Sequence, residues 1–203
     1  MNYETNNFIL RLAQESEISD LTAFYNEVID YSMRNKSRRT LHWNMFTPES
    51  VESSVNEEEL YIVSPRQVDA DLSTICAAVM LDEARDAWPA DEGILPRKAL
   101  RFAKFAVNVA LAGQQFGSAV AWPHIVHHAR TTGYPVVYCE AHKIEGLDRF
   151  YTNLGMTPHS EMRYYSPYYG EKIQAYRYSV LIDASATRFD LIQGCYVSFD
   201  SRV

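Results

Sequence analysis

The chain has 203 residues, of which 47% are hydrophobic and 22% are charged, and its formal net charge is −7. This composition excludes wholesale disorder, and the length suits one domain with a substantial core. The acidic balance argues against an extended nucleic-acid-binding or membrane-binding face, because such a face needs clustered lysine and arginine. We therefore expect a single domain, residues 1–203, with no nucleic-acid or membrane partner.

Cysteine usage and the lack of long apolar runs bear on the location of the protein. The three cysteines are far apart and form no Cys-x-x-Cys pair: Cys76, Cys139 and Cys195. Such a set suits a reducing compartment and supports neither a disulfide framework nor a zinc site. No signal-peptide pattern is evident, and no run approaches about eighteen apolar residues. We expect a soluble, cytoplasmic protein without a metal site.

The first part of the chain alternates strand and helix patterns. Residues 8–13 form an apolar strand pattern, and apolar side chains spaced three and four apart over 18–29 predict a helix. Thr47-Pro48-Glu49 predicts the start of a second helix, because threonine caps a helix, proline suits its first turn and an acid complements its dipole.

Two apolar runs follow, and a long polar connection comes after them. Residues 60–64 and 74–81 predict buried strands. Residues 82–96 predict an irregular connection, and long connections inside compact domains often carry function. Its acids could attract a cationic amine, although a solvated loop is the simpler interpretation: Asp82, Glu83, Asp86, Asp91 and Glu92.

The rest of the chain is organised around a strand, a turn and a helix within residues 100–131. Leu100–Val109 is apolar apart from three residues, which is typical of a central strand. The turn 113–119 then feeds a helical pattern whose first N–H groups lack intrahelical partners and favour an anion. The glycine spacing matches neither common phosphate-binding motif, so a strand–turn–helix without ligand remains an alternative on these residues alone.

The helix that follows this turn contains a proline and three histidines. Pro123 has no N–H to donate to residue 119, so we expect a kink or a helix that becomes regular only after Trp122. His124, His127 and His128 share one flank, and without a carboxylate or cysteine at ligand spacing they predict an exposed histidine face rather than a metal site.

The C-terminal part predicts another strand, a short helix and a tyrosine-rich pair of strands. Residues 136–139 read as a strand and 146–154 as a short helix that ends at Gly155. Residues 161–165 and 175–182 read as strands, with a further candidate at 195–199. The many tyrosines in this part are typical of a sheet face, although they could also line a binding cleft or an oligomer contact.

Two motifs in this half resemble those of the GCN5-related N-acetyltransferase (GNAT) superfamily. Gln114-x-x-Gly117-x-Ala119 resembles the Q/R-x-x-G-x-G/A motif, and Val107-Asn108-Val109 stands at the place of the strand triplet before it. Arg149–Met156 resembles the second signature, an apolar residue and tyrosine followed by Leu-Gly-Phe. The close match covers about residues 100–156 of this chain.

The resemblance implies a single α/β domain with a mixed, mostly antiparallel central sheet and helices on both faces. It implies acetyl-CoA as co-substrate, with the diphosphate held by the backbone of six residues: Gln114, Gln115, Phe116, Gly117, Ser118 and Ala119. It also implies that free backbone groups of Val107, Asn108 and Val109 pair with the pantetheine arm and polarise the thioester. By the same analogy, Tyr31, Met33, Trp43 and Phe46 could touch the acceptor, or they could simply pack.

The resemblance places Tyr151 as the general acid, because a protonated phenol can give its proton to the departing thiolate. The alternative is that its ring only packs the short helix onto the sheet. The strand before the turn lacks the glutamate that many members use as a base. Glu140 and His142 are tentative bases, and deprotonation through a water chain is equally open. Ile144 stands where many members have an asparagine that contacts the cofactor.

The resulting expectation is an N-acetyltransferase that moves acetyl from acetyl-CoA directly to a primary amine of a small molecule or peptide. The acidic balance favours a cationic acceptor, and a homodimer is one assembly that the chain could form. Two alternatives remain, namely a non-catalytic acyl-CoA-binding or sensor domain and an interaction module that uses the tyrosine-rich tail.

Overall fold

A computed structural model of the chain describes residues 4–35, 43–66, 74–83, 98–142, 147–166 and 171–182. Within these ranges seven strands form one sheet in the order β1-β2-β3-β4-β5-β7-β6. Their bounds are β1 Phe8–Leu12, β2 Leu60–Pro65, β3 Ala77–Glu83, β4 Leu100–Val107, β5 Val136–His142, β6 Thr157–Ser166 and β7 Glu171–Leu181. Among these described strands only β4 and β5 pair in parallel, so the predicted mixed, mostly antiparallel sheet is confirmed.

Four α-helices accompany the sheet in the described ranges: α1 Ile18–Arg34, α2 Pro48–Asn56, α3 Trp122–Thr131 and α4 Leu147–Asn153. The predicted start of α2 is confirmed, because the Thr47 side chain accepts a hydrogen bond from the Ser50 amide and Pro48 opens the helix. None of these helices has the length and apolar character needed to cross a bilayer.

The helices cover both faces of the sheet, as the resemblance predicts. Side chains of α1 and α2 pack with Ile62 of β2 and Ala78 of β3 in one buried cluster. Side chains of α3 pack with Val79 of β3, and with Phe102 of β4, in another. Because neighbouring residues of a strand point to opposite faces, these two clusters lie on opposite sides of the sheet. We call them the α1–α2 face and the α3 face.

Several predicted bounds shift by a few residues. The strand predicted over 74–81 begins at Ala77, and the tyrosine-rich strands are longer than predicted. The strand candidate at 195–199, Ile144 and most of the acidic connection lie outside the described residues.

Candidate functional site

The main feature of the sheet is a split between β4 and β5. The two strands pair only at Leu100↔Val137 and Arg101↔Tyr138. Beyond these pairs β5 continues to pair with β7, while β4 continues to pair with β3 as far as Val107. The edge of β4 that faces β5 therefore has unpaired backbone groups, and an extended ligand can pair with them as an added strand.

At the end of β4, fewer backbone amides can meet a ligand in the split than the sequence predicts. The Asn108 amide donates to the Cys76 carbonyl at 2.9 Å, so it is committed to the β3 side. Val109 has already left the strand and begins a 3-10 turn. Because neighbouring residues of a strand direct their N–H groups to opposite edges, the Val107 amide faces the split. Of the predicted triplet, Val107 alone has its amide placed to meet a ligand there.

The turn before α3 also offers fewer free amides than expected. The Gln114 amide donates to the Leu111 carbonyl, and the Ser118 and Ala119 amides both donate to the Gln115 carbonyl. Within the described chain, the amides of Gln115 and Gly117 have no backbone acceptor. Gln115 adopts a left-handed conformation with φ 58°, and such a turn can gather amides around an anion. The predicted anion site is therefore smaller and centred on these two amides.

Gly117 and Phe116 also have packing roles that the motif does not reveal. A Cβ atom added to Gly117 would lie 3.2 Å from Val107 Cγ2 and 3.5 Å from the Phe105 ring, so this glycine lets the turn approach β4 closely. The Phe116 side chain is buried, and its ring packs edge-on against Phe8 with centroids 5.1 Å apart. The Phe116 side chain is therefore part of the core.

The kink expected at Pro123 appears as a π-helical turn over Gly117–Ala121, directly before α3. In a regular α-helix the Ala119 carbonyl would accept from residue 123, which has no N–H. The Thr5 hydroxyl donates to this carbonyl instead, at 3.2 Å. Thr5 is buried, and its own carbonyl lies 3.2 Å from Nε2 of His124. The N-terminal segment is thus attached to the helix start that follows the candidate anion site.

The exposed histidine face predicted on α3 is wrong. His124 is buried and bound to Thr5, while the His128 ring packs against Tyr61 at 4.9 Å. Burial lowers the pKa of His128. Among the described residues, no group of histidine, cysteine and carboxylate side chains could hold a metal ion.

Tyr151, the predicted general acid, lies on α4 at the α3 face. Its ring is stacked on Tyr178 with centroids 4.8 Å apart and lies 6.1 Å from Phe102 of β4. Its hydroxyl hydrogen-bonds the Cys139 thiol of β5. Burial raises the pKa of Cys139 well above its usual value, and the Tyr151 bond offsets only part of this effect. The ring has the packing role of the alternative interpretation, and its hydroxyl already meets a sulfur beside the split.

Glu140 and His142, the tentative bases, lie two residues apart on β5, on the face opposite to Cys139. Glu140 Oε1 accepts a hydrogen bond from Nε of Arg177 at 2.8 Å, so this carboxylate is committed to an ion pair. His142 is half-buried at the end of the strand. Tyr151 and this pair therefore lie on opposite faces of the sheet, and the β4–β5 split is the place where groups from both faces can reach one ligand.

Lys104 is a residue of this region that the motif does not single out. It lies at a bulge of β4, where the register changes between Ala78 and Met80 of β3, and its φ is 52°. Its ammonium lies 5.0 Å from the Trp43 ring centroid and 5.9 Å from that of Phe46. Both rings pack on the α1–α2 face. A single lysine among apolar strand residues gave no sequence signal of this environment.

Comparison with solved structures identifies the fold. The chain is similar to a GNAT-family acetyltransferase from Listeria monocytogenes (13% identity, 86% of this chain and 94% of that chain, TM-score 0.64). It is also similar to yncA from Salmonella typhimurium, whose structure contains its cofactor acetyl-CoA (14%, 90% and 98%, TM-score 0.58). A third similar structure is the ribosomal-protein-alanine N-acetyltransferase from Brucella melitensis (11%, 85% and 99%, TM-score 0.59).

No protein-family model and no curated protein sequence matches the chain. The solved structures agree with the motifs, and the chain has the GNAT fold.

Proposed function

We propose that this protein is an N-acetyltransferase that transfers the acetyl group of acetyl-CoA directly to a primary amine of a small molecule or peptide, in the cytoplasm. The observation that carries the proposal is the split between β4 and β5, which opens one residue after Arg101↔Tyr138 and ends beside the turn 113–119. A strand edge and a turn with two unbonded amides, so placed, suit a ligand with a peptide-like arm and an anionic end.

The residues present fit acetyl-CoA as the co-substrate. The amides of Gln115 and Gly117 would hold the diphosphate, because amide hydrogens without an acceptor favour negative charge. The Val107 edge of β4 would pair with the pantetheine arm, and its amide would polarise the thioester carbonyl. When bound, the coenzyme supplies an activated acetyl group, and the chain's part is to place and polarise it.

Acetyl transfer forms a C–N bond, breaks the C–S bond and moves a proton from the amine to the departing sulfur. Tyr151 would give this proton to sulfur, and its hydrogen bond to the Cys139 sulfur on the β5 side of the split supports the assignment. On the other face, His142 and Glu140 remain the tentative bases, and Glu140 would have to act from within its ion pair with Arg177. A water chain would serve the same purpose.

Direct transfer is favoured over an acetylated intermediate on either of the two cysteines that the structure describes, Cys76 and Cys139. Burial raises the pKa of Cys76 to about 11 and that of Cys139 well above its usual value. Both are therefore neutral thiols at pH 7, and a neutral thiol is a poor nucleophile.

A non-catalytic acyl-CoA sensor is the second candidate. It is favoured by one observation: the Tyr151 hydroxyl and the Glu140 carboxylate each have a protein partner, Cys139 and Arg177. A sensor would bind the coenzyme with these bonds intact, whereas an enzyme must free the Tyr151 hydroxyl during turnover.

Calorimetry and turnover together test these assignments. Isothermal titration with acetyl-CoA should show binding, and its absence would refute both candidates. Thiol release with a library of amines then separates the enzyme from the sensor.

Tyr151→Phe should lower kcat about 100-fold with little change in acetyl-CoA affinity, because a positioned acid contributes at least about that factor. Tyr134→Phe is the matched control, since it removes only an exposed hydroxyl bound to Glu83. Full turnover by Tyr151→Phe would show that the acid is assigned wrongly.

A further inference from the structure

The α1–α2 face beside the split carries one positive charge that no described residue neutralises. Arg101 is paired with Asp82, and its Nε lies 2.9 Å from Oδ1. Arg177 is paired with Glu140 in the same way. The Lys104 ammonium has no hydrogen bond or ion pair within the ranges that the structure describes, and it lies over the rings of Trp43 and Phe46. Of these three cations, Lys104 is the one whose charge no described carboxylate balances.

The backbone holds Lys104 in this place at a cost. A side-chain-bearing residue with φ 52° is sterically disfavoured, and such strain persists only where the surroundings enforce it. Here the fully buried Tyr25 donates its hydroxyl to the Lys104 carbonyl at 3.1 Å. Tyr25 is in turn stacked on Phe46 at 4.3 Å. The bulge, the tyrosine and the aromatic wall therefore form one rigid support for the lysine.

This support holds Lys104 beside the split, where an acceptor would approach. Lys104 lies three residues beyond the last β4–β5 pair, on the face opposite Tyr151. An acceptor amine that approaches the split from the α1–α2 face passes the ammonium and the rings of Trp43 and Phe46. Burial without a carboxylate partner is unfavourable for an ammonium, and an anion bound beside it removes that penalty. Burial also lowers the pKa of Lys104.

We propose that Lys104 binds a carboxylate of the acceptor, so that the acceptor is a small amino acid-like molecule whose amine is acetylated while Trp43 and Phe46 contact its apolar part. This inference rests on the proposed acetyl transfer and names the substrate class of the same site. It replaces the expectation, drawn from the acidic composition, of a cationic acceptor.

The test compares each of a panel of apolar amino acids with its amide, which keeps the amine and the side chain but lacks the negative charge. The amide has the less basic amine and so more of the neutral, nucleophilic form. A preference for the amino acid cannot then arise from easier deprotonation. The wild-type protein should prefer the amino acids in kcat/KM, measured by thiol release.

Three variants locate the effect. Lys104→Met should raise KM for the amino acids about 10- to 100-fold, as expected for loss of a charged hydrogen bond, and should leave the amides and the acetyl-CoA affinity within about twofold. Lys104→Arg should retain most of the preference. Lys98→Met is the matched control, because Lys98 also lies over an aromatic ring, that of Tyr134 at 4.4 Å, but on the exposed surface.

The outcomes separate this inference from the proposed function. Equal use of amino acids and amides by the wild type, or an unchanged ratio in Lys104→Met, would overturn the carboxylate site while leaving acetyl transfer intact. Equal loss of kcat on both acceptors would assign Lys104 to proton transfer and would also overturn it.

If acetyl-CoA fails to bind, acetyl transfer itself is refuted. Thermal-shift titration of the protein with the same amino acids then decides the site separately, since stabilisation that depends on Lys104 supports it and its absence overturns it.

Discussion

We predict that a backbone N–H at position 123, which Pro123 lacks, can replace the hydrogen bond that the Thr5 hydroxyl donates to the Ala119 carbonyl. Thr5→Val keeps the shape of the side chain but removes the hydroxyl that donates to this carbonyl at 3.2 Å. A buried carbonyl left without a donor costs about 1–3 kcal/mol. For a domain of this size, a loss of about 2 kcal/mol lowers Tm by roughly 4–8 °C. The contact between His124 and the Thr5 carbonyl involves the backbone and is not removed.

Pro123→Ala supplies the missing N–H at the position from which an α-helix would bond Ala119. In this background Thr5→Val should cost less than about 0.5 kcal/mol, which gives a coupling energy of about 1–2 kcal/mol between two residues 118 apart in the sequence. Chemical denaturation of the wild type, the two single variants and the double variant measures this energy. Thr5→Ser is the control that retains the hydroxyl.

Additive effects in this cycle would refute the reasoning, because they would mean that Thr5 stabilises the fold without replacing the N–H that Pro123 lacks. Loss of the Thr5 hydroxyl should also affect coenzyme binding. Ala119 closes the turn that carries the Gln115 and Gly117 amides, so Thr5→Val should weaken acetyl-CoA binding more than Thr5→Ser does, as measured by calorimetry.

Three further predictions follow from local contacts. Gly117→Ala should destabilise the fold by about 1 kcal/mol and raise the Kd for acetyl-CoA, because its Cβ would lie 3.2 Å from Val107 Cγ2; denaturation and calorimetry check this, and unchanged values contradict it. Cys139→Ala should retain turnover within about threefold if transfer is direct, and complete loss of thiol release would instead indicate an acetyl-cysteine. The hydrogen bond from Arg11 lowers the pKa of Glu17 below its ordinary value. The ionised Glu17 therefore stabilises the fold above that ordinary value, and this stabilisation is lost as the pH falls through the lowered pKa. Glu17→Gln should reduce the loss of stability at acid pH, as measured by denaturation at a series of pH values.

The sequence predicted those helices and strands that are determined by residues close together in the chain. The helix at Pro48 follows from three adjacent residues and forms with the expected Thr47 cap. The strand–turn–helix over 100–131 follows from an apolar run bounded by glycine, and the irregular helix start follows from Pro123. The opposite-face arrangement of helices came from the family resemblance and agrees with the buried clusters.

The features that the sequence did not predict depend on distant partners. Nothing near Asn108 shows that the Cys76 carbonyl captures its amide, and nothing near His124 shows that Thr5 will bury it. The bulge at Lys104 depends on the register with β3 and on the Tyr25 hydroxyl, from a helix 79 positions earlier. The motif therefore located the turn and the strand correctly but overestimated how many of their backbone groups are free.

The split sheet also explains why the two halves of the site have different physical character. On the α3 face Tyr151 lies against the rings of Phe102 and Tyr178 and beside the buried Cys139 thiol. On the α1–α2 face the strands carry two ion pairs and Lys104, whose ammonium has no ion-pair partner among the described residues; this setting would orient a charged molecule. A coenzyme arm lying in the split would meet the donor from one side and the acceptor from the other. Proton donation and acceptor recognition would thus lie on opposite faces of the sheet, because side chains alternate between the two faces along β4 and β5.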